Sequence, residues 1–398
     1  MKINHIMEDV LSSDFFPFGE LTYPEVAALP RDTPLVLPLG WGYDHTALAA
    51  HLGNPPQIGL LPALPFGWTG SGLEVPQLVF EAVLRNLLGN LLEDGFTQVF
   101  ALAPAGLRFT TGIPTVCLPH PSSLVTLLSN NDREKVLLIP IGQTEQHGYH
   151  APLATDTRII EAIGQGTAKA ASAYATCLPV YPYGVSTHRR SFPGTFNVGG
   201  RAFEDFWMAV MDTLVGRGFN RFYMLSGHGG NCSFLVNVVK YIGERYPYIF
   251  CATAWLYLNG PQGAAALQAR RASPIGGMGH ACELETSLIL ALRPELIHLE
   301  RAVDEMDFIA TPSYYMDWIE GGALIANPPW DDDTQTGAYG AGSLGSAEKG
   351  EYWLKVAIEE KVEQVLEIQE QYRQRLSRRK SRLPPLNESD IGAGGGIL

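Results

Sequence analysis

The stretch Val136–Asp156, VLLIPIGQTEQHGYHAPLATD, begins with six apolar residues and then turns polar. A short, uniformly apolar run is typical of a strand that is buried on both faces of a parallel sheet. The polar residues that follow it therefore lie in the loop at the carboxyl end of that strand, where open α/β sheets place their binding sites. The stretch indicates an α/β fold and locates a candidate site within it.

On both sides of this stretch, short apolar runs alternate with longer amphipathic segments. This alternation predicts a three-layer αβα architecture with a mostly parallel sheet. The predicted strands are Leu35–Pro38, Val99–Leu102, Val136–Pro140, Cys177–Val180, Arg221–Leu225 and Ile249–Ala254. The predicted helices are Val75–Glu93, Thr157–Ala173, Phe203–Arg217, Cys232–Arg245 and a last amphipathic helix from Gly350 to Arg375.

Three blocks of the chain occur twice in the same order. LVLPLG (35–40) parallels LLIPIG (137–142), LPALPFGWT (61–69) parallels LPVYPYGVS (178–186), and LLEDGFTQVFALA (91–103) parallels LVGRGFNRFYMLS (214–226). This self-similarity predicts an internally duplicated fold, although a generic strand–helix rhythm could produce part of it. The predicted organisation is a first copy over residues 1–116, a second copy over residues 117–376 and a mobile tail over residues 377–398.

The two copies differ in the residues that could perform chemistry. The second copy carries carboxylates and histidines after its strands, whereas the first copy has lost the carboxylates and keeps one imidazole. The residues of the first copy at the corresponding places are Tyr43, His45, Asn54 and Ala105. We therefore expect the first copy to be a degenerate structural domain without a metal site.

The composition limits the classes of protein to which the chain can belong. The chain has 398 residues, of which 46% are hydrophobic and 17% are charged, as in globular proteins. A formal net charge of −13 argues against a nucleic-acid partner, because phosphate binding requires a basic surface. Five scattered cysteines favour reduced thiols, and no run approaches the roughly 20 apolar residues of a membrane span. We expect a cytoplasmic protein with no membrane partner.

The loop after Val136–Pro140 holds the densest set of potential metal ligands. Glu145 and His147 are two residues apart, so in an extended loop their side chains point the same way. Asp156 directly precedes a predicted helix, where its two oxygens could bridge two ions or could simply cap the helix.

Two further segments carry the same kinds of side chain. SGHGGN (226–231) follows a predicted strand, and its glycines let a ligand approach His228 closely. The alternative for this segment, a phosphate-cradling loop, lacks the lysine of a P-loop. His280, Glu283 and Glu285 open an apolar helix, where capping explains the acids but not the histidine. Imidazole and carboxylate ligands together suit divalent ions such as Zn, Mn or Fe.

Together these segments resemble the creatininase family of metal-dependent amidohydrolases. The resemblance covers roughly residues 136–299 and rests on the motifs ExHG…D (145–156), FPGT (192–195), GHGGN (227–231) and H…ETS (280–287). It implies two divalent ions per chain, with Zn as the first choice and Mn or Fe as alternatives. The first copy resembles only the scaffold of the family.

The resemblance also implies a role for each motif residue. The implied metal ligands are Glu145, His147, Asp156, His228 and Glu285, and the implied general acid or base is His280. Where the creatinine-cleaving member has an acidic ligand, this chain has Gly230, so Glu285 or alternatively Glu283 is expected to replace it. A tryptophan of that member is replaced by Gly276, which argues against creatinine as the substrate.

These implications predict the hydrolysis of a non-standard amide C–N bond in a small molecule by a metal-activated water. The candidate substrate contacts are His188, Trp255 and Asn231, although a solvated loop and core packing are plainer explanations for the first two. The alternatives are a short-peptide hydrolase, a phosphoesterase, which the shortage of basic residues disfavours, and a non-catalytic scaffold. Because the family forms hexamers, a fused degenerate copy predicts a homo-oligomer of fewer than six chains, such as a trimer.

Overall fold

The computed structural model describes residues 13–119, 128–187, 191–318 and 321–382. Within these ranges the chain forms two parallel sheets, one in a first unit (residues 13–119) and one in a second unit (residues 128–382). The first sheet consists of β1 (Asp14–Pro17), β2 (Leu35–Pro38), β3 (Gln57–Leu60), β4 (Val99–Pro104) and β5 (Thr115–Leu118). The second consists of β6 (Val136–Ile141), β7 (Ala175–Cys177), β8 (Arg221–Ser226) and β9 (Phe250–Thr253), beside an antiparallel pair, β10 (Met278–His280) and β11 (Tyr339–Gly340).

Helices cover both sheets, which confirms the predicted α/β class. Those of the first unit are α1 (Tyr23–Ala28), α2 (His45–His51) and α3 (Gln77–Glu93). Those of the second unit are α4 (Thr155–Ala170), α5 (Gly200–Gly216), α6 (Gly229–Arg245), α7 (Pro261–Arg270), α8 (Glu283–Leu292) and α9 (Ala347–Arg382). Among the described helices, none has the length and apolar character needed to cross a bilayer.

Strand β6 shows why the second sheet is buried on both faces. Leu137 and Ile139 belong to a core that includes α5 and α6. Val136 and Leu138 belong to a second core that includes α4, α8 and α9. Because side chains alternate across a strand, a continuous apolar run requires a helical layer on each face. The run VLLIPI therefore occupies the interior of the sheet, between β7 and β8.

The two sheets share one strand order. The first sheet runs β1-β3-β2-β4-β5 and the second β7-β6-β8-β9, so four strands of each correspond one to one. The registers also match, because Leu35 on β2 pairs with Val99 in the way that Leu137 on β6 pairs with Phe222. The repeated blocks of the sequence thus occupy equivalent positions in the two units. The duplication that they suggest stays a proposal.

The two units pack against each other through one continuous core. This core contains apolar residues of both sheets and of the 17-residue helices α3 and α5. The ring of Phe66 in the first unit lies 5.5 Å from that of Tyr181 and 6.2 Å from that of Trp207 in the second. Polar contacts join the same surfaces, for example the 2.7 Å hydrogen bond from the Asn197 amide to Asn90 Oδ1. The first unit therefore forms part of the folded core of the second.

Three predicted bounds differ from the structure. The first copy does not end at residue 116, because β5 continues to Leu118 and pairs with β4. The tail does not begin at residue 377, because no Gly or Pro interrupts residues 351–383 and α9 runs on to Arg382. Residues 383–398 of the predicted tail lie outside the described residues. The strand predicted at Cys177–Val180 lies at Ala175–Cys177 instead, since Pro179 has no amide to continue the ladder.

Candidate metal centre

Carboxylate and imidazole side chains from three segments meet at the carboxyl ends of β6 and β8. The first segment is the loop after β6 together with the start of α4, the second is the loop after β8, and the third joins β10 to the first turn of α8. The side chains that meet are Glu145, His147, Asp156, His228, His280 and Glu285, none of them more than 6% exposed.

Asp156 lies between two groups of ligand atoms. Its Oδ1 lies 3.2 Å from Nε2 of His147, and its Oδ2 lies 3.3 Å from Nδ1 of His228. The His147 ring also faces Glu285, with Nε2 3.9 Å from Oε1, and the His228 ring faces Glu145, with Nδ1 3.1 Å from Oε1. The two oxygens of the Asp156 carboxylate thus face two different imidazoles, and each imidazole faces a second carboxylate.

The three imidazoles are each held at one ring nitrogen by a main-chain carbonyl. His147 Nδ1 donates to the Glu145 carbonyl at 3.1 Å, His228 Nε2 to that of Val185 at 3.0 Å, and His280 Nε2 to that of Gln146 at 2.7 Å. Since a carbonyl only accepts, the second nitrogen of each ring is the one that faces the carboxylates, and it can bind a metal ion once it has lost its proton. Metal-binding histidines in proteins are oriented in this way.

The carboxylates change the protonation of the histidines. Burial alone would lower the pKa of His147, but the charge of Asp156 and its hydrogen bond, with Glu285 and Glu145, raise this pKa to about 9. Burial, together with the charge of Asp156, raises the pKa of Glu285 to about 7, against the opposing charge of His147. In the metal-free cluster protons therefore lie between imidazole and carboxylate. Divalent ions would displace them, so metal binding releases protons.

The donor set fits divalent metal ions. Two candidate groups share Asp156, one with His147 and Glu285 and the other with Glu145 and His228, and all ligand atoms of each group lie within 4.8 Å of one another. A third candidate group consists of Glu145, His147 and His280. Buried imidazole and carboxylate donors in such numbers suit Zn, Mn or Fe. Within the described ranges, the candidate groups all lie in the second unit.

Of the two alternative glutamates, Glu285 reaches the cluster and Glu283 does not. The Glu283 carboxylate accepts hydrogen bonds from the Ala272 and Ser273 amides at 2.9 and 2.8 Å. It also pairs with Lys349 Nζ at 2.6 Å. Positions two apart on an α-helix lie about 200° apart around the axis, so α8 turns the two acids to different sides. These contacts favour Glu285 over Glu283 as the candidate ligand.

The expected substrate contacts have different outcomes. Trp255 is 55% exposed and lines the cavity above the cluster. Asn231 is fully buried and is not among the residues that line the cavity; its Oδ1 accepts from the Val185 amide at 2.9 Å and its Nδ2 donates to the Gly142 carbonyl at 3.2 Å. It joins the loops after β6 and β7 instead. His188 lies outside the described residues.

Sequence reasoning missed several residues that support the cluster. Ser186 Oγ donates to Glu145 Oε2 at 2.7 Å, and Thr195 Oγ1, in the FPGT motif, accepts from the Gln146 amide at 3.0 Å. The first unit also contributes, since the carbonyls of Gly19 and Leu21 accept hydrogen bonds from the segment just before Asp156. A lone serine or a main-chain carbonyl leaves no recognisable pattern in a sequence.

The structure leaves no room for an acidic side chain at Gly230, within the GHGGN motif. A Cβ at this position would lie 2.2 Å from the Val185 carbonyl oxygen and 2.5 Å from His228 Nε2, the two atoms that anchor the His228 ring. We expect Gly230→Ala to displace the ring and to weaken metal binding about 10- to 100-fold. Metal titration of the folded variant, checked by circular dichroism, measures this loss. The control is Gly229→Ala, since a Cβ there meets nothing within 4 Å; equal affinity in both variants would contradict the prediction.

Comparison with known proteins places the chain among enzymes. The family model for creatininase (creatinine amidohydrolase) matches residues 126–365. The mycofactocin precursor peptide peptidase of Mycobacterium ulcerans (strain Agy99) is 32% identical over 179 residues, which cover 42% of this chain and 61% of that protein. The creatinine amidohydrolase of Pseudomonas putida is 28% identical over 247 residues, which cover 56% of this chain and 86% of that protein.

A solved structure shares the fold. A glutamate-to-glutamine mutant of creatininase complexed with creatine matches with a TM-score of 0.50 at 24% identity, over 60% of this chain and 94% of that chain. The family model covers more than half of the chain and includes every residue of the cluster. The chain therefore belongs to the creatininase family, a family of hydrolases.

Proposed function

We propose that this protein is a metal-dependent amidohydrolase that cleaves a C–N bond, other than an ordinary peptide bond, in a small molecule. The observation that carries the proposal is that the two oxygens of Asp156 face two different imidazoles. Two divalent ions bound there, Zn or alternatively Mn or Fe, would lower the pKa of a water molecule toward neutrality and polarise the substrate carbonyl. Homologues that hydrolyse amides support this reading.

His280 is placed to deliver a proton. Its Nε2 is held by the Gln146 carbonyl, its Nδ1 lies 3.5 Å from Glu145 Oε1, and its ring lines the cavity above the cluster. The Trp330 ring packs edge-on against it at 5.4 Å and restricts its rotation. An amide nitrogen is too basic to leave without a proton, so a positioned imidazole supplies the general acid.

Replacing His280 tests this role. We expect His280→Gln to lower kcat by about 10²- to 10⁴-fold, which is the usual contribution of a general acid, while metal content persists. Turnover of a panel of formamides and cyclic amides, with metal content by plasma mass spectrometry, measures both. The control is His298→Gln, since the His298 side chain is 32% exposed and pairs with Glu300. An unchanged kcat in His280→Gln would remove His280 from the mechanism.

A short peptide is the second candidate substrate. The support for it is the 32% identity to a peptide peptidase.

The alternative to an enzyme is a non-catalytic scaffold, which would bind no metal. Purified protein that takes up neither Zn nor Mn would favour the scaffold, and about two ions per chain would support the amidohydrolase.

We also propose that the first unit is a degenerate copy of the second. The matched registers of β2 and β6 and the packing of α3 against its counterpart α5 support this proposal. Contact between equivalent helices is the arrangement found across the two-fold axis of a dimer. The first unit would then take the place of a neighbouring subunit, so that the assembly contains fewer than six chains.

A further inference from the structure

The cavity above the candidate metal centre has two unlike sides. It has a volume of about 360 Å³, and its floor is the cluster of carboxylates and imidazoles around Asp156. Much of the remaining lining, here called the wall, comes from an overhanging arm, residues 311–318 and 321–327. Because the wall contains none of the candidate metal ligands, it would contact the part of the substrate that does not react.

Three of the polar side chains that line the cavity are already paired within the protein. The Asp317 carboxylate pairs with Arg271 at 2.6 Å and accepts from the Gly276 amide at 2.6 Å. The Trp318 indole N–H donates to the Tyr257 carbonyl at 3.0 Å, and the Trp330 indole N–H donates to that of Gly337 at 3.2 Å. These three groups are therefore not free to bind a substrate, and the arm adds the rings of Tyr314 and Tyr315 and the apolar side chains of Leu324 and Ile325 to the lining.

The arm also exposes apolar side chains at the cavity. Leu324 is 60% exposed and Ile325 is 94% exposed, and Trp255 across the cavity is 55% exposed. Leaving such side chains in water forgoes roughly 1.5–3 kcal/mol for each one. An apolar group placed between the arm and Trp255 would recover part of that free energy.

The described part of the lining offers no cationic side chain to an anionic group. The described residues that line the cavity include Glu145, Asp156, Glu285 and Asp317 but no lysine or arginine. A carboxylate or phosphate on the far part of the substrate would meet no cation at the wall, and losing its hydration there would be costly.

We propose that the substrate carries a bulky, uncharged apolar group, such as an aryl group, beside the amide that reacts. This inference rests on the proposed function and adds a substrate class to it. Leu324 and Ile325 receive the apolar group, while the amide lies over the cluster at Asp156. A small polar ring would leave the arm without a contact.

Hydroxamates test this proposal, because the hydroxamate group chelates divalent ions and the group attached to it is free to vary. The full chain is loaded with Zn and titrated by calorimetry with acetohydroxamate, benzohydroxamate and 4-carboxybenzohydroxamate. We expect benzohydroxamate to bind about tenfold more tightly than acetohydroxamate, because the ring buries apolar surface. The added carboxylate should cancel most of that gain.

A double variant locates the contact. Leu324→Ser with Ile325→Ser alters two exposed side chains, so folding should persist. It is expected to weaken benzohydroxamate binding about fivefold and to leave acetohydroxamate binding unchanged. The matched control is Leu78→Ser, since Leu78 is 68% exposed on α3, outside the cavity lining.

The outcomes separate this inference from the proposed function. If both neutral hydroxamates bind Zn-loaded protein equally well, or if the double variant changes neither, the apolar substrate class is wrong and the metal centre stands. If the protein retains no Zn and binds no hydroxamate, the proposed function fails, and the substrate class fails with it.

Discussion

Asp156→Asn is expected to remove bound metal and hydrolytic activity together. The two carboxylate oxygens of Asp156 belong to two of the three candidate ligand groups, and an amide would replace one of them with a nitrogen that cannot coordinate. Because bound metal supplies several kcal/mol of transition-state stabilisation, we expect activity to fall by about 10³-fold or more. Metal content by plasma mass spectrometry and amide turnover on the same preparation check this prediction.

The control for this variant is Glu161→Gln, which removes a carboxylate from the same helix, α4, outside the ligand groups. It should keep its metal and its activity, since Glu161 is partly exposed and contacts none of the candidate ligands. An Asp156→Asn protein with a full complement of metal would show that Asp156 does not bridge the ions.

Trp207→Ala is expected to destabilise both units by about 3–5 kcal/mol, the usual cost of a large cavity in a core. Trp207 is fully buried, and its ring lies 6.2 Å from that of Phe66 in the first unit and 5.3 Å from that of Tyr181 in the second. Guanidinium denaturation followed by circular dichroism measures the free energy of unfolding.

Leu78→Ala serves as the control, because Leu78 lies on α3 but is 68% exposed and should cost well under 1 kcal/mol. Since Trp207 packs in a core common to both units, we expect one unfolding transition for wild type and variant alike. A loss below about 1 kcal/mol for Trp207→Ala would show that the core relaxes into the space.

Strands buried on both faces could be predicted from the sequence, and short mixed strands could not. Leu35–Pro38 was predicted with its bounds correct, because four consecutive apolar residues are a local signal. The strands Gln57–Leu60 and Thr115–Leu118 were missed, since each has exposed or partly exposed residues and lacks a continuous apolar run. Their place in the sheet depends on pairing with β2 and β4, which the residues of the two strands do not themselves reveal.

Of the candidate site, too, only a part could be predicted from the sequence. Glu145, His147, Asp156 and His228 were chosen because polar residues that directly follow apolar strands collect at one edge of a parallel sheet. Choosing Glu285 over Glu283 required the orientation of α8 and the ion pair between Lys349 and Glu283, which only the structure shows. The overhanging arm was not predicted, since residues 311–327 have no periodic pattern.

The sequence by itself determined the α/β class, the strands with continuous apolar runs and the identity of most candidate ligands. These features follow from local periodicity and from residue types at strand ends, which any reader of the chain can see. Only the tertiary structure decided the strand order of the two sheets, the distances around Asp156, the use of Asn231 as a link between loops and the apolar wall of the cavity. Those features depend on which distant backbone groups and side chains become neighbours, and that is settled by packing of the whole core.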